Sequence, residues 1–199
     1  MLGVRVTVSF LLFFSFLFGS SVILKKNNAL REVKEEKNRE EYVVSTTVDF
    51  LTKDGVDVDR KTLEGVVRSI YRVAKTKGVD YRIVLALAKV ESNFRNDAVS
   101  PKGARGILQI KPSVAQAVAK DLGIKLEGKK SLHESEKNIV IGTHLLSSLI
   151  DKYFDIHGAL SAYNMGQTRL AEKGKNYETK FSKLVLKEYK RYIEILPDP

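Results

Sequence analysis

Apolar residues recur every three or four positions along most of the chain after residue 60, a spacing typical of one buried face of an α-helix. The pattern predicts helices over residues 60–78, 80–94, 112–123, 134–154, 158–163 and 177–195. In the last of these, the side chains expected to point inward are Phe181, Leu184, Val185, Tyr189, Tyr192 and Ile193. No segment shows the alternation of a β-strand and no internal repeat is present, so the body is predicted to be all-α.

The first 56 residues follow a different pattern. Residues 6–24 form a nearly uncharged apolar run with basic residues on both sides, long enough for a cleaved signal peptide or for an uncleaved membrane anchor. Residues 25–56 are rich in charge and show no pattern that builds a core, so we expect a solvated helix or a tether. The predicted organisation is a signal peptide or anchor over 1–24, a charged linker over 25–56 and a domain over 57–199 that folds alone.

One acidic residue lies on the apolar face of the second predicted helix. Val84, Leu87, Glu91 and Phe94 are spaced so that they share one stripe. Burial there would raise the pKa of the Glu91 carboxyl, which is the condition that a general acid needs near neutral pH. The alternative is that Glu91, close to a helix end, turns out to solvent as ionised groups generally do.

Composition excludes several classes of site. The chain has no cysteine, which rules out a disulfide framework, a thiol nucleophile and a lipid-modified N-terminal Cys. Its three histidines, His133, His144 and His157, lack the spacing of metal ligands, so neither a metal nor a cofactor is expected. The formal charge of +10 comes from scattered basic residues, so a nucleic-acid partner is not expected, whereas an anionic wall polymer or membrane surface fits.

Three motifs occur in order from Glu91 onward. They are Glu91-Ser92-Asn93-Phe94, then Ser100-Pro101-Lys102-Gly103-Ala104-Arg105-Gly106-Ile107-Leu108-Gln109-Ile110, and finally Ala162-Tyr163-Asn164-Met165-Gly166. In content and spacing they resemble the motifs of the soluble lytic transglycosylase family, whose fold is similar to goose-type lysozyme. Asn138 and Gly142 match a further helix of that family, and the resemblance covers roughly residues 60–192. The chain departs from the family at Ile107-Leu108, where Leu-Met is usual, and at Leu145, where Tyr is frequent.

The resemblance implies a lysozyme-like helical domain that cleaves the β-1,4 bond between N-acetylmuramic acid and N-acetylglucosamine in peptidoglycan. Glu91 would act as the single acid and base, and the muramyl 6-hydroxyl would attack its own anomeric carbon to give a 1,6-anhydromuramyl end. Carried over residue by residue, Ser92, Gln109, Tyr163 and Asn164 would orient the acid or bind substrate. In particular, the Tyr163 hydroxyl would hydrogen-bond to Glu91.

Two other functions stay open. A true muramidase would hydrolyse the same bond with water, using Asp97 as the base. A wall-binding or envelope-assembly module would keep the cleft but little activity. In either case the expected partner is the peptidoglycan glycan strand, and we expect a monomer. The N-terminal run predicts export to the periplasm or cell envelope, with anchoring to the inner membrane as the alternative to cleavage.

Overall fold

The structure is a computed structural model that describes the backbone of residues 3–174 and 177–199, and the side chains from residue 25 onward within those ranges. Its helices are α1 Gly3–Lys53, α2 Arg60–Thr76, α3 Tyr81–Ser92, α4 Pro112–Asp121, α5 Ser135–Tyr153, α6 Ile156–Met165, α7 Gln167–Lys173 and α8 Lys180–Ile195, with a 3-10 helix at Lys129–His133. Across these residues no strand forms, and isolated β-bridges join Val99 to Arg105 and Arg105 to Ile110. The all-α prediction is confirmed.

The chain divides into two compact units, Met1–Tyr42 and Val43–Pro199. In the first unit the described side chains, from residue 25, are mostly exposed, including those of Leu30 and Val33. The side chains of the apolar run 6–24 lie outside the described residues, so the signal peptide or anchor remains a prediction. Where side chains are described, no helix has an apolar stretch that could span a membrane.

The predicted boundary at residue 57 is wrong, because the core of the second unit begins at residue 43. Val43, Val44, Val48 and Leu51 are buried in the same cluster as Leu63 of α2. They are spaced at i, i+1, i+5 and i+8, which places them on one face of α1. The charged residues from Arg31 to Glu41 precede this stripe, so the average composition of residues 25–56 concealed it. Residues 43–56 are therefore part of the helical body.

An ion-pair cluster also joins this segment to the rest of the body. Asp54 accepts hydrogen bonds from both terminal nitrogens of Arg191 on α8, at 2.7 and 2.8 Å, and pairs with Lys89 of α3 at 3.3 Å. The bond from Arg191 and the nearby charge of Lys89 outweigh partial burial and lower the pKa of the Asp54 carboxyl. The end of α1 is thus tied to the helix that bears Glu91.

Helix α3 is the centre of the body. Its residues from Ile83 to Ala88 are all buried, and it packs against α2 and α8. A helix that is apolar on every face is stable only when other elements surround it. The Asp80 side chain caps the helix by accepting from the Arg82 backbone N–H, and it also pairs with the Arg82 guanidinium at 2.7 Å. These contacts fix the position and direction of α3.

Helix α8 covers α3 with a narrower apolar face than the sequence suggests. Val185, Leu186 and Tyr192 are buried, whereas Leu184 is 54% exposed and Ile193 43% exposed, so these two inward predictions are wrong. Leu184 is turned by about 100° from Val185, away from Leu186, and Ile193 lies in the last turn of the helix. After α8 the chain returns to α3, where the Tyr81 hydroxyl donates to the Pro197 carbonyl at 2.8 Å.

Candidate active site

Glu91 lies in the last turn of α3, where the helix ends abruptly. The two residues after the helix, Asn93 and Phe94, have φ values of 53° and 66°, in the left-handed region. Phe94 is therefore outside the helix that the sequence pattern had assigned to it, although it is fully buried as predicted. This buried ring and the left-handed turn hold the end of α3, and so Glu91, in a fixed place.

The Glu91 carboxyl is in an environment that disfavours its charge. Val84 and Leu87 on the same stripe are completely buried. Burial raises the pKa of Glu91 to about 8, and across the described residues no hydrogen-bond donor or cation offsets this effect. The negative end of the α3 dipole acts in the same direction, since a carboxylate is unfavourable at a helix C-terminus. The raised pKa of Glu91 therefore favours the protonated form at neutral pH, which is the form that a general acid needs.

The loop over residues 98–110 forms the wall beside Glu91, and Asn138 of α5 holds it there. The Asn138 amide donates to the carbonyls of Arg105 and Leu132, at 2.9 and 3.0 Å, and its oxygen accepts from the Leu108 N–H at 2.7 Å. Gly106 passes so close that a Cβ would lie 2.2 Å from the Leu132 oxygen and 2.4 Å from the Asn138 amide nitrogen. Its φ of 76° also favours glycine. Asn138 is thus a structural partner of this loop.

Three predicted site residues hydrogen-bond to successive carbonyls of this loop. The Gln109 amide donates to the Gly106 carbonyl at 2.9 Å, and the Ser92 hydroxyl donates to the Ile107 carbonyl at 2.8 Å. The Tyr163 hydroxyl donates to the Leu108 carbonyl at 2.9 Å. Because a tyrosine hydroxyl has one proton, this bond replaces the expected donation from Tyr163 to Glu91. These side chains hold the loop in position.

A groove of about 870 Å³ opens over Glu91. Gln109, Tyr163 and Asn164 line it with Glu91, so four of the five predicted site residues come together there. The fifth, Ser92, is not on the groove, since it is 6% exposed and bonded to the loop behind it. The Gln109 amide nitrogen is also bonded to the Ala98 carbonyl at 3.1 Å, which leaves the amide oxygen as the group that can accept from a ligand.

The groove contains a single carboxyl among the described residues that line it, that of Glu91. Asp97, the base of the muramidase alternative, is exposed and lies outside this lining. The apolar part of the wall includes Leu145 and Leu149 of α5. Leu145, which stands where the family often has Tyr, therefore lines the groove and also packs against the buried cluster around Leu149.

Sequence reasoning missed the basic side chains of the groove. Lys102, Lys111 and Arg169 line it, and Arg169 belongs to α7, a helix that the apolar pattern did not predict. Two signals in the sequence point to this part of the site. Gly166 and Gly174 bracket α7, and Lys102 and Lys111 lie within or next to the second motif.

Comparison with known proteins agrees with this fold. A family model described as the transglycosylase SLT domain matches residues 68–185. The chain therefore belongs to the transglycosylase SLT domain family, and the resemblance found in the sequence is confirmed. The fold also occurs in the 70-kDa soluble lytic transglycosylase of Escherichia coli, with a TM-score of 0.58 and 21% identity over 76% of this chain and 30% of that one. An inactive mutant of the lytic transglycosylase of Pseudomonas aeruginosa gives a TM-score of 0.57 and 23% identity over 65% of this chain and 24% of that one.

Curated relatives share this segment of sequence. The soluble lytic murein transglycosylase of Salmonella typhimurium is 33% identical over 101 residues, which is 50% of this chain and 16% of the relative. The membrane-bound lytic murein transglycosylase C of Haemophilus ducreyi is 28% identical over 149 residues, 68% of this chain and 39% of the relative. The chain thus spans well under half the length of the curated relatives it matches.

Proposed function

We propose that the chain is a peptidoglycan lytic transglycosylase that cleaves the β-1,4 bond between N-acetylmuramic acid and N-acetylglucosamine, with Glu91 as its single acid and base. The observation that carries this proposal is the buried position of the Glu91 carboxyl, which has a raised pKa and is the only carboxyl among the described residues that line the groove. Most glycosidases divide the work between two carboxylates, and substrate-assisted reactions are an exception. A groove with one carboxyl suits a substrate that brings its own nucleophile.

In the first step the protonated Glu91 gives its proton to the glycosidic oxygen as the bond to the muramyl anomeric carbon breaks. The acetamido oxygen of the same sugar stabilises the positive charge that develops there. In the second step the Glu91 carboxylate takes the proton of the muramyl 6-hydroxyl, whose oxygen bonds to the anomeric carbon. The product is a 1,6-anhydromuramyl end, Glu91 regains its proton, and no water is consumed.

The other groove residues suit supporting roles. The free oxygen of the Gln109 amide can accept a hydrogen bond from a sugar N–H or hydroxyl. Tyr163 packs its partly buried ring beside Glu91, and Asn164 is exposed on the groove. Ser92 is proposed to act indirectly, through the loop carbonyl that it bonds. Each of these assignments rests on position, and substitution kinetics would test them.

The decisive experiment is digestion of peptidoglycan in water enriched in oxygen-18, followed by mass spectrometry. A transglycosylase gives anhydro products, lighter by one water and free of label, because an internal hydroxyl attacks. A muramidase gives reducing ends that contain the label. If the wild type produces labelled reducing ends and Glu91→Gln does not, the reaction at Glu91 is hydrolysis and not the proposed transglycosylation.

Binding can be tested apart from turnover. The 70-kDa soluble lytic transglycosylase has been solved in complex with bulgecin A, and we propose that the groove over Glu91 binds the same compound. Calorimetric titration of wild type and Glu91→Gln with bulgecin A would show whether the variant keeps its groove. A folded wild-type protein that does not bind bulgecin A at all would count against this shared ligand.

We propose a location in the cell envelope, which the membrane-bound name of one curated relative supports. Residues 1–24 would direct export, as a cleaved signal or as an inner-membrane anchor, and the protein would act as a monomer on glycan strands. Fractionation of cells that express the full chain, with N-terminal sequencing of the product, distinguishes a cleaved signal from an anchor. Light scattering of the purified protein tests the monomer.

A further inference from the structure

Three basic side chains reach the groove from three different elements. Lys102 comes from the loop after α3, Lys111 directly precedes α4, and Arg169 lies on α7. We call these three residues the groove cations. All three are exposed, and none forms an ion pair with an acidic residue in the part of the chain that the structure describes.

Some cations of the body are paired, whereas the groove cations line one groove without an acidic partner among the described residues. Arg82 pairs with Asp80, Arg191 with Asp54 and Glu188, and Lys183 with Glu178. Clustered cations without partners repel one another, so they add nothing to the stability of the fold. Glu91 is the only acidic residue among the described lining residues, and its raised pKa favours the uncharged form at neutral pH, so it offsets the groove cations little. The groove therefore has about three positive charges, which attract an anionic ligand.

From this charge we infer that the groove cations bind carboxylates attached to the muramyl residues of the glycan, so that the enzyme selects acidic glycan strands over neutral ones. This inference rests on the proposed function, since it concerns the substrate of the same groove. The carboxylates have two sources: the stem peptide, or the lactyl group of muramic acid where the stem has been removed. A β-1,4 polymer of N-acetylglucosamine alone has the same backbone and acetamido groups but no carboxylate.

Charge, and not size, is what the groove cations recognise in this proposal, so the substrates must differ in charge alone. We would compare glycan fragments with free stem carboxylates, the same fragments with those carboxyls converted to amides, and fragments without stems. The protein variant is Lys102→Gln, Lys111→Gln and Arg169→Gln combined. The matched control replaces Lys180, Lys187 and Lys190 of α8, which are exposed and away from the groove, by Gln, so that both variants lose the same net charge.

An exposed charge pair changes affinity by about two- to fivefold, so three pairs together should change KM by roughly 10- to 100-fold. We expect the wild type and the control to show a higher KM, at similar kcat, on the amidated fragments and in high salt. The groove variant should give the same KM on free and amidated fragments. Fragments without stems identify the source of the carboxylate. If KM on these fragments is higher for the groove variant than for the wild type, the groove cations bind the lactyl carboxylate. If the two KM values are equal, the groove cations bind the stem carboxylates.

The inference would be overturned if the wild type gave equal KM values for free and amidated fragments at low salt and the groove variant kept the wild-type KM on fragments without stems. An equal loss in the α8 control would also overturn it. Both outcomes leave anhydro products in every reaction, so the proposed function would stand. The absence of anhydro products from all substrates would instead reject the proposed function. Thermal melting of both variants should match the wild type, because only exposed side chains are changed.

Discussion

Replacing Glu91 by Gln should abolish activity and, at the same time, make the protein more stable. Gln keeps the shape of the side chain but can neither donate nor recover a proton, and general acid–base catalysis is typically worth about 10²–10⁴-fold in rate. Burial raises the pKa of Glu91 to about 8 because the groove floor disfavours its charge. Gln carries no charge and so avoids the cost that the wild type meets at high pH.

The size of the stability effect follows from the pKa difference. An unfolded Glu has the reference pKa of 4.5, against about 8 in the folded protein. Between these values the folded state keeps a proton that the unfolded state has lost, so the free energy of unfolding falls by about 1.4 kcal/mol for each pH unit of increase. The contribution of Glu91 to stability is therefore highest below pH 4.5 and becomes constant again above pH 8. The free energy of unfolding of the wild type is therefore lower than that of Glu91→Gln by about 3 kcal/mol at pH 7 and by about 5 kcal/mol above pH 8.

Thermal melting across pH 4 to 9 measures this difference directly. Since about 1 kcal/mol shifts Tm by roughly 2–4 °C in a protein of this size, Glu91→Gln should melt about 6–12 °C above the wild type at pH 7. The two proteins should melt together at pH 4. The control is Glu194→Gln, which removes an exposed carboxyl of α8 and should change Tm little at any pH. If Tm varies with pH in the same way for the wild type and Glu91→Gln, Glu91 is not a buried neutral acid. Near-normal turnover by the folded variant would remove Glu91 from the mechanism.

Three further predictions test other parts of the structure. A fragment starting at residue 43 should melt like the full chain, whereas a fragment starting at residue 57 should be unfolded or much less stable. The shorter fragment lacks Val43, Val44, Val48 and Leu51, and burial of each contributes about 1.5–3 kcal/mol. Equal melting temperatures for the two fragments would restore the boundary at residue 57. Gly106→Ala should lower Tm more than Gly103→Ala, since both have positive φ but only Gly106 meets neighbours, and similar losses would show that the loop absorbs the Cβ. Tyr163→Phe should cost about 1–3 kcal/mol in chemical denaturation by leaving the Leu108 carbonyl unpaired, and unchanged stability would indicate that water replaces the hydroxyl.

The sequence predicted the body of the fold because most of its helices have a clear apolar face. The α2 stripe, including Leu63, Val67 and Ile70, is buried as expected. The sequence pattern did not predict helix α7, because Leu170 is its only buried residue and the helix therefore has no apolar stripe. The burial of the end of α1 was not predicted for the opposite reason. An apolar stripe from Val43 to Leu51 is present, but it belongs to a segment whose average composition is charged.

The candidate site was predicted in part. The apolar neighbours of Glu91 along the helix, Val84 and Leu87, were enough to predict burial and a raised pKa. Which acceptor a hydroxyl finds is a property of the tertiary structure, so the bonds of Ser92 and Tyr163 to loop carbonyls were beyond sequence reasoning. The same holds for the groove cations, which come from separate elements and meet only in the folded chain.

The bonds from Gln109, Ser92 and Tyr163 to three consecutive carbonyls change what a loss of activity at these positions would mean. Removing any one of them releases the same stretch of backbone, so alanine scanning would give three similar defects from one displaced wall. Two substitutions together should then harm little more than one, a saturation that independent substrate contacts would not show. Asn164, which makes none of these bonds, is the position where a kinetic defect would report contact with the sugar itself.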